Sequence, residues 1–145
     1  MLVGDGPIEL QLKDMAKTAS STYPIGFAGN VNNVLPLLQA SHIGVFPSLN
    51  EGLPLSLLEK MSCGLPIIAS NIPEFKDIIQ EGVNGLYFEV DNATQLSVKL
   101  KILIEDPELR NSLGANAREF VLTNFRNDEN RKAYQNIYDS ILSLT

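Results

Sequence analysis

The sequence predicts an α/β fold, a parallel sheet flanked by helices and followed by a C-terminal helical tail. Three observations carry this. Ile43–Phe46 and Pro66–Ala69 are apolar runs without polar alternation, the pattern of strands buried on both faces. Helix-length segments separate the runs, as in strand–helix–strand units. After Asp91 the strand-like runs stop, and three helical segments follow one another.

Taken in order, Met1–Gly4 reads as the end of a strand. Pro7 to Ser21 reads as a helix, with proline at its first position and Ile8, Leu12 and Met15 on one apolar face. Ile25–Ala28 is a strand closed by Gly29, and Asn33–Ala40 is a short helix. After the strand Ile43–Phe46, Pro54–Cys63 is a helix with Pro54 near its start and Gly64 just past its end. Strand Pro66–Ala69 precedes a short helix, Glu74–Gln80. Asn84-Gly85 turns the chain into strand Leu86–Val90. Thr94–Ile104, Pro107–Thr123 and Asp128–Leu144 form the helical tail, broken at Asp106-Pro107 and Asn127-Asp128.

The chain has 145 residues, 44% of them hydrophobic, and a net charge of −6 from 11 basic and 17 acidic residues. That length suits one domain, since typical domains run to ~100–150 residues. The apolar fraction excludes disorder, and the acidity argues against a nucleic-acid partner. No apolar run approaches the ~18–20 residues of a membrane span. One cysteine and one histidine exclude a His/Cys zinc set. The solitary Cys63 and the absence of a signal-peptide pattern point to reducing cytoplasm.

From Thr18 to Asn50, 33 residues pass without Asp, Glu, Lys or Arg, and Glu51 ends the silence. Glu51 stands on the loop leaving strand Ile43–Phe46, and Glu59 on the helix that follows. Ligands of open α/β sheets bind beyond the carboxyl ends of the strands. Free N–H groups at a helix start bind anions, and here Gly52, Leu53, Leu55 and Ser56 supply them while Pro54 cannot. A diphosphate between two carboxylates that accept sugar hydroxyls is the arrangement a sugar nucleotide needs. On spacing alone a plainer reading stays open, with Glu51 an exposed loop acid and Glu59 a solvated residue paired with Lys60. Gly4-Asp5-Gly6-Pro7 fails the dinucleotide fingerprint because Glu9 occupies the third glycine position. No D-x-D motif is present. His42 and Cys63 read as structural, Asn92-Ala93-Thr94 as a chance sequon, and Phe120, Phe125, Tyr134 and Tyr138 as packing of the tail.

Five segments occur in order: Gly4-Asp5-Gly6-Pro7, Phe27–Val31, Pro47–Pro54, Leu58–Pro66 and Asn84–Leu86. Together, with Glu51 and Glu59 spaced as E-x7-E, they resemble the C-terminal, donor-binding half of family 4 retaining glycosyltransferases. The resemblance runs from Leu2 to the last helix and implies a Rossmann-like half of a GT-B fold. It implies that Glu51 is the catalytic-site residue contacting donor-sugar hydroxyls and that Glu59 holds the ribose. Gly52, Leu53, Leu55 and Ser56 would face the sugar and diphosphate, Gly29, Asn30 and Val31 would wall the base, and Gly4, Asp5 and Gly6 would line the cleft. The implied reaction is metal-independent, cofactor-free hexosyl transfer with retention, from a UDP-sugar first and a GDP-sugar second.

The resemblance also sets expectations for the parent enzyme. The strand carrying the family's diphosphate-binding Arg and Lys, and the N-terminal half carrying the acceptor site, would precede Met1. Residues 1–145 then read as a single truncated donor domain, inactive alone. Either the remaining strands close the gap in the sheet, or a second copy (a homo-oligomer) or a partner fills it, or the core is strained. The neutral stretch Asn32–Pro36 and His42 depart from the family pattern and bear on base preference. The parent would act on a sugar or lipid-linked acceptor in bacterial surface polysaccharide synthesis (capsule or lipopolysaccharide), in the cytoplasm or peripherally at the inner membrane face. A degenerate partner-binding module is the alternative. An epimerase or phosphorylase fits Gly52-Leu53-Pro54 less well.

Overall fold

The computed structural model of the chain describes residues 1–19, 24–52, 54–125 and Gln135. They fall into two units, Met1–Leu37 and Leu38–Thr145.

In the first unit the two expected strands reduce to one parallel bridge, Leu2 with Phe27. The Leu2 N–H donates to Gly26 O (2.8 Å), and the Ala28 N–H to Leu2 O (2.9 Å). Helix α1 is Glu9–Ala19. Pro7 lies in the turn before it, and the Glu9 N–H reaches back to Gly6 O at 3.1 Å. The expected buried face of α1 is not closed: Ile8 and Met15 remain 57% and 58% exposed. Instead Leu12 and Met15 join Leu2, Ile25 and Phe27 around an open apolar groove of about 380 Å³. Helix α2, Leu35–Gln39, is shorter than expected.

The second unit is built on three parallel strands, β1 (Gly44–Phe46), β2 (Ile67–Ser70) and β3 (Gly85–Phe88), in that spatial order. Gly44 pairs with Ile67, and Ile67 with Gly85. Helix α3 (Leu55–Ser62) connects β1 to β2, and α4 (Ala93–Glu105) and α5 (Pro107–Asn124) follow β3. The unbroken apolar reading of β2 has a direct cause. Ile67 and Ala69 enter a cluster with Phe46, Leu57, Met61 and Phe75, whereas Ile68 enters a second with Leu86, Phe88, Leu103 and Leu113. Both faces of the strand are covered, so each position must be apolar. A fully buried Ile contributes about 1.5–3 kcal/mol.

Two refinements have local causes. The helix expected at Glu74–Gln80 is a single 3₁₀ turn, Pro73–Phe75, followed by turns. The buried Asn84 takes over its hydrogen bonds, accepting from the Gln80 N–H (2.7 Å) and donating to Ile78 O (3.0 Å). The last strand ends at Phe88 rather than Val90, where Glu89 and Val90 are exposed. Helix α5 starts at Pro107 as expected, and α4 starts at Ala93, one residue before the expected Thr94. Asn92 accepts from the Gln95 N–H, and Asp106, before Pro107, accepts from the Leu109 N–H, each at 2.9 Å. These are N-caps. Phe120 and Phe125 pack together with centroids 6.1 Å apart. Tyr134, Tyr138 and the helix expected over 128–144 lie outside the described residues, apart from helical Gln135.

Helix α5 packs closely on the turn between α3 and β2. A Cβ on Gly114 would stand 2.2 Å from Gly64 O and 3.3 Å from Pro66 Cδ. Arg118 donates to Ser62 O at the end of α3.

The Tyr87 hydroxyl lies 2.9 Å from both Phe75 O and Ile79 O. Burial, then the charges of Glu81 and Asp77, pushes its pKa from 10.0 up to about 12. The folded state therefore favours neutral tyrosine. This contribution is full below pH 10.0 and is lost as pH rises toward 12, because the unfolded chain gives up that proton first. Urea midpoints at about pH 8 and about pH 11 should fall further apart in the parent chain than in Tyr87→Phe. Equal pH sensitivity in the two would remove Tyr87 as a cause.

Candidate functional site

The site grows from the way the chain leaves β1. A parallel strand that stops leaves carbonyls needing donors. Ser70, at the carboxyl end of β2 and 1% exposed, answers this. Its hydroxyl lies 3.2 Å from Phe46 O and also reaches Ser48 O. The loop after β1 is thus tied to the neighbouring strand. Ser48 in turn donates from Oγ to Glu51 Oε1 at 2.7 Å. Glu51 is half-buried, and this charge-assisted bond fixes one of its oxygens.

Glu51 precedes the first turn of α3. Pro54 caps the helix without a side-chain hydrogen bond. Its carbonyl accepts from Leu57 N–H (2.9 Å) and Leu58 N–H (3.2 Å), while the Leu55 and Ser56 amides find no acceptor among the described residues. Gly52, Leu55 and Ser56 are exposed; Leu53 lies outside the described residues. Glu59, in the second turn of α3, is also exposed. Lys60 forms no ion pair with it among the described residues. Its stem crosses Gly44, with Cδ 3.1 Å from where a Cβ would stand, and its ammonium lies 4.1 Å from the Phe46 ring centroid. Burial lowers the Lys60 pKa, opposed by the charge of Glu59.

Within the first unit, two predicted groups meet. The Gly4 N–H donates to Gly29 O at 2.7 Å, joining the Gly4–Gly6 turn to the Gly29–Val31 turn. Gly4 has φ +116° and Gly29 φ +64°, left-handed conformations that side chains disfavour. Asp5, Gly6 and Asn30 are exposed, and Val31 is half-buried.

Two structural readings separate here. Cys63 packs partly buried against the core, as expected, whereas His42, just before β1, is exposed. Sequence reasoning missed Ser48 and Ser70. The available signal was Ser70 itself, a hydroxyl ending the apolar run Ile67-Ile68-Ala69. Glu74 was read only as part of a helix, yet its Oε2 is buried without a hydrogen-bond partner among the described residues.

The comparisons with known proteins agree with this architecture. Residues 1–120 match the family described as Glycosyl transferases group 1. The chain is 33% identical over 142 residues to N-acetyl-alpha-D-glucosaminyl L-malate synthase from Bacillus anthracis, covering 98% of this chain and 37% of that protein. It superposes on sucrose-phosphate synthase from Thermosynechococcus elongatus with a TM-score of 0.88 at 22% identity, over 99% of this chain and 38% of the other. Anabaena HepE, solved with UDP-glucose, gives 0.84 at 22% identity, over 98% and 40%. The parallel sheet flanked by helices is thus the Rossmann-like architecture of GT-B glycosyltransferases. The chain spans about a third of the length of the curated relatives it matches. It belongs to the glycosyl transferases group 1 family.

Proposed function

We propose that residues 1–145 are the nucleotide-sugar-binding part of a retaining, metal-independent hexosyltransferase. One observation carries this reading. Glu51 and Glu59 stand before and after the start of α3, whose Leu55 and Ser56 amides have no acceptor among the described residues, beyond the carboxyl end of β1. A diphosphate takes those amides, aided by the helix dipole. Glu51 accepts hydroxyls of the sugar, and Glu59, exposed on α3, accepts those of the ribose. As the sugar departs, charge builds on the diphosphate, and preoriented N–H groups stabilise it. For the first unit by itself, the resemblance implies that the Gly4–Gly6 turn lines a cleft and that the Gly29–Val31 turn meets a base. The UDP-glucose in Anabaena HepE supports a UDP-sugar donor, and the Bacillus anthracis synthase supports glycosyl transfer as the parent's activity. We place that activity in polysaccharide or glycolipid synthesis, with a sugar or lipid-linked acceptor held outside these residues.

Titration of the labelled chain with UDP and UDP-glucose should shift amides across residues 51–59. Glu59→Ala should weaken UDP about tenfold or more, the loss of hydrogen bonds to a charged group. Glu51→Ala should leave UDP binding intact and erase the increment the sugar adds. A folded chain whose amides stay still at millimolar ligand would overturn the assignment.

A further inference from the structure

We infer that Ser48 is a positioning residue for donor-sugar recognition, acting through Glu51 and itself anchored by Ser70. The inference rests on the reading of Glu51 as the sugar contact.

The argument begins with a chain of three bonds. Ser70 Oγ, buried on β2, reaches Ser48 O and Phe46 O. Ser48 Oγ donates to Glu51 Oε1 at 2.7 Å. The side chain that recognises sugar is thereby tied to the sheet through two serines rather than left to wander on its loop. An ionised carboxylate offers about four acceptor positions. Ser48 occupies one on Oε1, and among the described residues nothing donates to Oε2. A free glutamate must lose rotamer freedom when it binds. Here the Ser48 bond restricts it beforehand, which raises affinity by lowering the ordering cost. Ser70 cannot do this directly, since its contacts are with backbone carbonyls. It fixes where the Ser48 backbone stands.

The contribution falls on the sugar and not on the nucleotide, because neither serine contacts Glu59 or the first-turn amides of α3 among the described bonds. Ser48→Ala should therefore lower UDP-glucose affinity about tenfold, the scale of one charge-assisted hydrogen bond, while UDP alone changes by less than about twofold. Ser48→Thr keeps the hydroxyl and should restore most of the difference.

The test is a titration of the full 145-residue chain with UDP and with UDP-glucose, in the parent, Ser48→Ala, Ser48→Thr, Glu51→Gln and the double variant Ser48→Ala/Glu51→Ala beside Glu51→Ala. The expected result is a sugar increment lost in Ser48→Ala, recovered in Ser48→Thr, and insensitive to Ser48→Ala once Glu51 is gone. If Glu51→Gln abolishes the increment but Ser48→Ala retains it, the role of Ser48 is overturned and the reading of Glu51 stands. If Ser48→Ala weakens UDP and UDP-glucose equally, Ser48 supports only the loop, and the inference also falls. If the parent shows no increment, or Glu51→Gln keeps it, the reading of Glu51 itself fails.

Discussion

Gly114→Ala should lower stability by about 2 kcal/mol, although alanine is the better helix former. Two effects compete. Within a helix, Gly→Ala gains about 1 kcal/mol from propensity. Against this, the new Cβ would stand 2.2 Å from Gly64 O, a backbone atom that cannot swing aside as a side-chain tip can. Relief requires α5 to withdraw, loosening Leu113, Ala117 and Val121, which it buries. Overpacking of this kind costs about 1–3 kcal/mol, sometimes more, and here belongs at the upper end. Ala115→Gly, at an exposed neighbour, isolates propensity and should cost about 1 kcal/mol. A Gly114→Ala chain that resists urea better than the parent would show that α5 has room the packing denies.

Phe75→Ala should have the largest effect on stability, about 3–5 kcal/mol. Phe75 is fully buried, and its ring meets Phe46 edge-on, with centroids 6.2 Å apart. Such an aromatic pair adds about 0.5–1.5 kcal/mol beyond area burial. For a chain of this size the melting temperature should fall by more than about 10 °C. Phe75→Leu, which keeps most of the volume, should fall by a fraction of that. Because Phe46 ends β1 immediately before the loop carrying Ser48 and Glu51, a surviving Phe75→Ala chain should also bind UDP-glucose less well. A loss below about 1 kcal/mol would mean the cavity collapses far better than such sites do.

What the sequence disclosed follows from burial. Ile43–Phe46 and Pro66–Ala69 were legible because packing on both faces demands apolar residues at consecutive positions. The break at Asp106-Pro107 was legible because Asp106 caps α5 through Leu109, three positions on, whereas Asn92, read only as part of a chance sequon, caps α4 in the same way. Legibility was weakest where distant residues intervene. The helix expected at Glu74–Gln80 was shortened by Asn84 taking its backbone partners. Leu2 and Ile25 have strand-forming side chains, yet both are exposed, and apolar character could not show that their segments meet in only one bridge. In the site, the spacing of Glu51 and Glu59 was legible, and the roles proposed for them rest on resemblance. The link from Ser70 through Ser48 to Glu51 was hidden, since serines at such spacing are commonplace and only the fold brings Ser70 beside them.

The order of strands in the second unit has a kinetic meaning. Spatial order and chain order coincide, and partners are separated by 67 − 44 = 23 and 85 − 67 = 18 residues. Parallel pairing is ordinarily slow because distant segments must meet before any contact rewards the loop they close. Here each closure spans one helix or turn, so its entropy cost grows only with the logarithm of a short loop. As the chain emerges from the ribosome, β2 can seal against β1 before β3 exists, and β3 then adds to a finished edge. The first pairing brings the strand that carries Ser70 beside β1 and the loop that follows it, so the loop carrying Ser48 and Glu51 is among the earliest parts of this unit to gain its place.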